Sequence, residues 1–164
     1  NTSLANQVIT FGTLSAVTYG DAPFALNGTV NSPLEITYTS SDASIASVSG
    51  NIVTIHKPGT ITITASQDGD SAHNPAQDVS QTLVINQKTL TVSNIVVANK
   101  DYDGTNVATI TSADLNGVVG TDNVLLNNAA VFASSNAGTD ISVTANFTLN
   151  GTDANRYILT QPSG

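Results

Sequence analysis

Two aspartate pairs come closest to chemistry in this chain: Asp101 and Asp103 in "NKDYDGTNVATI", and Asp68 and Asp70 in "QDGDSAHNPA". Carboxylates at this spacing could share a proton in acid–base work or offer hard oxygen ligands to Ca²⁺. A calcium-binding helix–loop–helix needs oxygen ligands at loop positions 1, 3 and 5, glycine at 6 and a bidentate glutamate at 12. Counted from Asp101, those last three positions hold Thr105, Asn106 and Ser112, so the pattern fails. Both stretches read better as turns, in which an Asp side chain caps nearby backbone and Gly69 or Gly104 takes a positive φ. In that reading Tyr102 lays its ring over a sheet edge. Neither pair shows a third or fourth ligand, so no metal residue is assigned. Ca²⁺ at a joint between modules is the one cofactor such acidic loops could hold.

The other reactive side chains are equally sparse. His56 and His73 fit no metal-ligand spacing. His56, in "TIHKPG", is expected at a strand end facing water. Serine is abundant, but no nucleophile elbow, no Gly-rich phosphate loop and no cysteine is present. The expectation is a chain with no catalytic residue and no bound cofactor.

Composition narrows the partners. The 164 residues carry a formal charge of −8, with only four cations. Lys57, Lys88, Lys100 and Arg156 cannot neutralise a run of phosphates or grip an anionic membrane, so nucleic acid is excluded as a partner. No apolar stretch is long enough to span a bilayer as a helix. The start, "NTSLANQVIT", has neither the basic residues nor the apolar core of a signal peptide. If the protein is exported, this chain is then a segment of something longer.

Hydrophobic residues make up 40% of the chain and aromatics 5%, so the core must come from Val, Ile, Leu and Ala. Their pattern has period 2. "TITITAS" alternates Ile61, Ile63 and Ala65 with Thr60, Thr62 and Thr64. "ISVTANFTL" alternates Ile141, Val143, Ala145, Phe147 and Leu149 with polar residues. "LEITY", "GNIVTI", "QTLVI" and "KTLTV" are shorter runs of the same kind, separated by Gly, Asn, Asp and Pro clusters. "TSADLNGVV" is the one segment read as a single helical turn. The fold class expected is all-β: two tandem antiparallel sandwiches, residues 1–87 and 88–164, in an extended arrangement. One strand should end near Ile85 and the next begin at Lys88 or Thr89, a link too short to act as a flexible tether.

These segments also carry a family resemblance. "KTLTVSNIVVANKDYDGTNVATI", "GVVGTDNVLL" and "FASSNAGTDISVTANFTLNGTDANRYILTQP" together resemble the YDG-type repeat of bacterial surface proteins over residues 88–162. "QVITFGTLSAVTYGDAPFAL", "YTSSDASIASVSGNIVTIHKPGTITITASQDGD" and "TLVI" resemble the MBG-type, Ig-like repeat. The resemblance implies Ig-like sandwiches within a long, exported, adhesin-like protein, located extracellularly or at the cell surface. It transfers no catalytic site. Where the first family tends to place an aromatic, this chain has His73, which suggests a packing role. The second family usually continues past "LTQPSG" into a last strand that this sequence does not include, and residues 1–6 are expected to pack on the corresponding end of a neighbouring copy.

Three further readings follow. A Lys–Asn or Lys–Asp isopeptide bond, known in some Ig-like surface modules, would use Lys88 or Lys100, both expected in strands. It needs a buried acid of raised pKa, and Glu35, the sole Glu, lies in the other module. The sequons at Asn1, Asn27, Asn146 and Asn150 are expected to go unused in a bacterial protein. The Thr array of "TITIT" reads as a solvated face of high β-propensity. The function expected is mechanical: a stiff spacer or self-associating filament unit whose partners are neighbouring repeats or head-to-tail copies. The alternative is an adhesin module whose end loops bind a glycan or host protein.

Overall fold

The computed structural model describes residues 3–162. It is all-β, with one short 3₁₀ turn and no α-helix among the described residues. Backbone contacts divide the chain into two compact units, Asn1–Gln87 and Lys88–Gly164.

The first unit contains β1 (Ile9–Thr10), β2 (Val17–Thr18), β3 (Phe24–Ala25), β4 (Thr29–Val30) and β5 (Thr37–Ser40). It continues with β6 (Ala46–Ser49), β7 (Ile52–Ile55), β8 (Gly59–Ser66) and β9 (Val79–Asn86). They form a four-stranded sheet in the order β2-β9-β8-β5, a three-stranded sheet β3-β7-β6, and the pair β1-β4. The alternation in "TITITAS" is realised: Ile61, Ile63 and Ala65 are buried, while Thr60 and Thr62 face water. Side chains from all three sheets meet in one cluster that includes Ile9, Leu26, Val53, Ile63 and Leu83. Each such fully buried aliphatic contributes about 1.5–3 kcal/mol, which outweighs any exposed polar pair. Phe11 meets Tyr38 edge-on in this core, with centroids 5.5 Å apart. Strand β5 begins at Thr37, so the run "LEITY" supplies only its last two residues to a strand.

The second unit contains β10 (Lys88–Val97), β11 (Val107–Ala108), β12 (Ile110–Asn116), β13 (Leu125–Phe132), β14 (Val143–Asn150) and β15 (Tyr157–Leu159). Its sheets are β12-β10-β15 and β11-β13-β14. Leu90, Ala108, Ala130, Phe147 and Tyr157 are its buried hydrophobics. Along β14, Val143, Ala145, Phe147 and Leu149 turn inward and the intervening residues outward, as the alternation predicts. "TSADLNGVV" is corrected from helical turn to strand. Thr111–Asn116 belongs to β12, where Ala113 and Leu115 are half-buried and Leu115 lies opposite Val92. Long-range pairing with β10 overrides the local propensity of Ser, Ala and Asp here. That ladder is irregular between Ser93 and Val97, beside Asn94 at φ 51°.

Between the strands, pairing is antiparallel except at one place in each unit. Val17 of β2 pairs in parallel with Ile85 of β9, and Lys88–Leu90 of β10 pair in parallel with Tyr157–Leu159 of β15. An early segment and the last strand of each unit therefore run side by side. Beyond β15, the Gln161 side chain accepts from Phe147 N at 3.0 Å and donates to Phe147 O at 2.7 Å. One side-chain amide thus does for β14 what a neighbouring strand residue would do.

The start of the chain is engaged within its own unit. Ala5 N donates to Ala72 O and Asn74 N to Ala5 O, both at 2.8 Å, and Ala5 forms a parallel bridge with His73. Of the expected contact of residues 1–6 with a neighbouring copy, Asn1 and Thr2 lie outside the described residues, as does the sequon at Asn1. The sequon residues Asn27, Asn146 and Asn150 are exposed.

Candidate functional site

A cleft in the second unit lies where residues 98–106, linking β10 to β11, face residues 133–142, linking β13 to β14. The cleft has a volume of about 680 Å³, and Asn99, Asp101, Tyr102, Phe132, Asn136 and Asp140 are among its lining residues.

Each wall is fixed locally. Asp103 Oδ1 accepts from Thr105 N and Thr105 Oγ1, both at 2.9 Å, and pairs with Lys100 Nζ at 2.8 Å. Lys100 Nζ also donates to Thr105 O at 3.2 Å and Val107 O at 3.1 Å. The Lys100 hydrogen bond, followed by that from Thr105 N–H, holds the Asp103 carboxyl down at about 2. Gly104 takes φ +77°, and a Cβ there would meet nothing. The turn read from "DYDG" is present: Asp caps backbone and Gly supplies the positive φ. The opposite wall is closed by Ala133 N donating to Ser142 O at 2.8 Å, with Asp140 in the left-handed region at φ 54°. Phe132 N donates to Asn106 O at 2.7 Å and joins the two walls at their base.

Two expectations are corrected here. Tyr102 does not cover a sheet edge; it is 71% exposed and its ring stands at the cleft. Its neighbours in sequence, Asp101 and Asp103, are exposed as well. Lys100 lies outside any strand, three residues beyond the end of β10, because the turn draws its ammonium to Asp103 and Thr105. A depressed Asp103 carboxyl is the reverse of the raised acid an isopeptide bond requires. Lys88 does begin a strand.

The remaining singled-out residues sit in the first unit. Asp70 Oδ1 accepts from Ala72 N, His73 N and His73 Nδ1, each at 2.8 Å. The Ala72 N–H bond, then the His73 side chain, lowers the Asp70 carboxyl below its ordinary range. His73 is half-buried and acts as a loop tie, its backbone bridging to Ala5. Beneath this loop is a hub that sequence reasoning missed. Gln7, buried to 6% exposure, donates from Nε2 to Asn74 O at 2.7 Å and Gln67 Oε1 at 3.0 Å, and accepts from Ser32 Oγ. Gln67 in turn accepts from Gly69 N. No local signal could reveal contacts spanning 60 residues and more.

His56 is exposed just after β7, as expected, yet its Nε2 lies 2.7 Å from Ser47 Oγ on β6. The hairpin register creates this contact by placing Ser47 opposite Thr54. It lacks what a nucleophile–base pair needs, since no carboxylate among the described residues orients the other ring nitrogen. Among the described residues, no three His, Asp or Glu side chains group to hold a metal. The cleft holds separate carboxylates, amides, hydroxyls and the rings of Tyr102 and Phe132, an assortment suited to binding.

In the second unit an acid–base cluster serves structure. Arg156 Nη1 pairs with Asp122 Oδ1 at 2.7 Å and Nη2 with Asp153 Oδ1 at 2.9 Å. Tyr157 Oη donates to Asp122 and accepts from Val119 N at 3.0 Å. These bonds tie Val119 and Asp122 to Arg156, just before β15, and to Tyr157, its first residue.

Compared with known proteins, residues 86–164 match the model of the YDG domain, a span that starts on the last residue of β9 and covers the second unit. No curated protein gives a significant match.

Proposed function

We propose, on the premise that the second unit is a YDG domain, that this chain is a non-catalytic structural segment of a bacterial cell-surface adhesin or extracellular filament. In this reading both units are Ig-like sandwiches, the first of MBG type. The segment lies outside the cell as part of a larger exported protein, with neighbouring repeats or copies of itself as partners. One observation carries the proposal: Gln87 alone separates β9 from β10. A single residue between strands has little freedom to swivel, so the units act as a stiff spacer and not as tethered beads. The acidic charge and the threonine-rich exposed face of β8 support a surface that resists nonspecific adhesion.

Small-angle scattering of the 164-residue chain, beside a variant with ten Gly/Ser residues inserted after Gln87, tests this. The native chain should give one narrow distribution of dimensions and the insertion variant a broad one. Equal breadth in the two would overturn the spacer reading. Growth of particle length with concentration would favour the filament form of the same proposal.

A second reading is favoured by the cleft between residues 98–106 and 133–142: a binding module that takes a glycan or host protein through its loops. The two readings are compatible, since a spacer repeat can also carry a site.

A further inference from the structure

We propose that the cleft between residues 98–106 and 133–142 binds a neutral oligosaccharide, with Tyr102 as the platform on which a sugar ring stacks. This rests on the binding reading above and names its ligand class.

Tyr102 sets the argument in motion. The chain has four Phe and four Tyr. Phe11, Tyr19, Phe147 and Tyr157 are buried, and Phe24, Tyr38 and Phe132 are half-buried. Tyr102 is the exposed one among them, and it stands on a cleft and not on a featureless surface. An aromatic face is what the C–H face of a pyranose covers, and stacking there removes apolar area of both partners from water.

The polar groups around that ring are open. Among the described residues the side chains of Asn99, Asp101, Asn136, Thr139 and Asp140 make no hydrogen bond within the protein. Amides, a hydroxyl and carboxylates offer donors and acceptors together, which suits hydroxyl groups that must both give and receive. The cleft's one cation, Lys100, is already held by Asp103 and by Thr105 and Val107 oxygens. No free positive charge remains for a phosphate, sulfate or carboxylate, and the net charge of −8 repels them. Neutral polar groups outnumber the two free carboxylates, which favours a sugar over a basic peptide.

Preorganisation completes the case. The Lys100–Asp103–Thr105 bonds set the turn that carries Tyr102, and the Ala133–Ser142 bond closes the other wall. A site whose backbone is set before the ligand arrives loses less entropy on binding. The volume of about 680 Å³ falls within the roughly 300–1,000 Å³ of small-ligand pockets.

The test is a titration of the isotope-labelled 164-residue chain, followed by amide resonances. The probes are cellohexaose, chitohexaose, mannohexaose and maltohexaose to millimolar concentration, with hexalysine as the contrasting ligand. The expected result is saturable shifts at residues 98–106 and 133–142 with at least one sugar. Tyr102→Ala should weaken that binding about tenfold or more while the unfolding midpoint stays unchanged, and Tyr102→Phe should retain it. Undiminished binding by Tyr102→Ala would overturn the proposal. Shifts with hexalysine and none with any sugar would overturn the ligand class and leave a binding module. Silence from all five probes would overturn the binding reading as well, leaving the spacer untouched.

Discussion

Two Asp–Gly loops, residues 67–76 in the first unit and 98–106 in the second, share a vocabulary and differ in almost every contact. Each has two aspartates near a glycine of positive φ, +77° in both cases. In the first loop Gln67, Asp70, His73 and Asn74 all bond to the protein, around the buried Gln7. In the second, the only side chains so engaged are those of Lys100, Asp103 and Thr105, and Tyr102 stands in water. The first loop is part of the fold's foundation; the second is a small rigid turn whose remaining side chains are free for something else. Identical turn grammar therefore says nothing about whether a loop is structural. What decides it is whether another segment of chain lies underneath.

The glycines give the largest test of that contrast. A Cβ on Gly69 would collide with the His73 carbonyl oxygen and stand 2.8 Å from the Asn74 carbonyl carbon, both backbone atoms. Gly69→Ala should cost about 2–4 kcal/mol, combining left-handed strain with a clash that backbone must relieve. Gly104→Ala meets only the strain and should cost about 1 kcal/mol. Amide hydrogen exchange read separately for each unit would check both, and equal losses would erase the distinction.

Next in size is the hub. Gln7→Ala should destabilise the first unit by about 2–3 kcal/mol, because Ser32 Oγ, Asn74 O and Gln67 Oε1 all lose a buried partner. A loss below about 0.5 kcal/mol in urea unfolding would mean water replaces the amide, and the first loop would resemble the second more closely.

The smallest effect is in acid. The Asp103 carboxyl, near 2, is depressed below its unfolded value of about 3.9. A depressed acid stabilises the fold above its unfolded pKa, and the contribution fades as pH falls from about 4 through about 2. Asp70, also depressed, should lose its contribution in the same direction. Carboxyl carbon shifts followed over this range should show Asp103 titrating well below the unfolded value of about 3.9; a midpoint at that value would mean the Lys100 pairing does not persist in solution.

Much of this architecture could be read from residue order because its cause is local. Strands β8 and β14 announce their buried faces through strict alternation, and the Asp103–Gly104 turn through residues that favour it. What escaped has non-local causes. Strand β12 looks helical until β10 pairs with it. Gln7 looks like any surface glutamine until residues 32, 67 and 74 converge on it. The cleft was legible only as a stretch of turn residues, since its far wall lies some thirty positions along the chain and Tyr102's exposure depends on what fails to cover it.

The parallel pairs at the edges of the two sheets have a consequence under load. In the second unit β10 enters and β15 leaves, side by side and in the same direction, with Thr160 N adding a bond to Leu90 O. Tension applied through the chain pulls these two strands past one another along their length. Their hydrogen bonds are then strained together and not peeled in succession. β2 and β9, with Tyr19 N bonded to Asn86 O, repeat the arrangement in the first unit. The second unit thus joins its first and last strands, and the first unit an early strand and its last, in a geometry that resists being drawn apart.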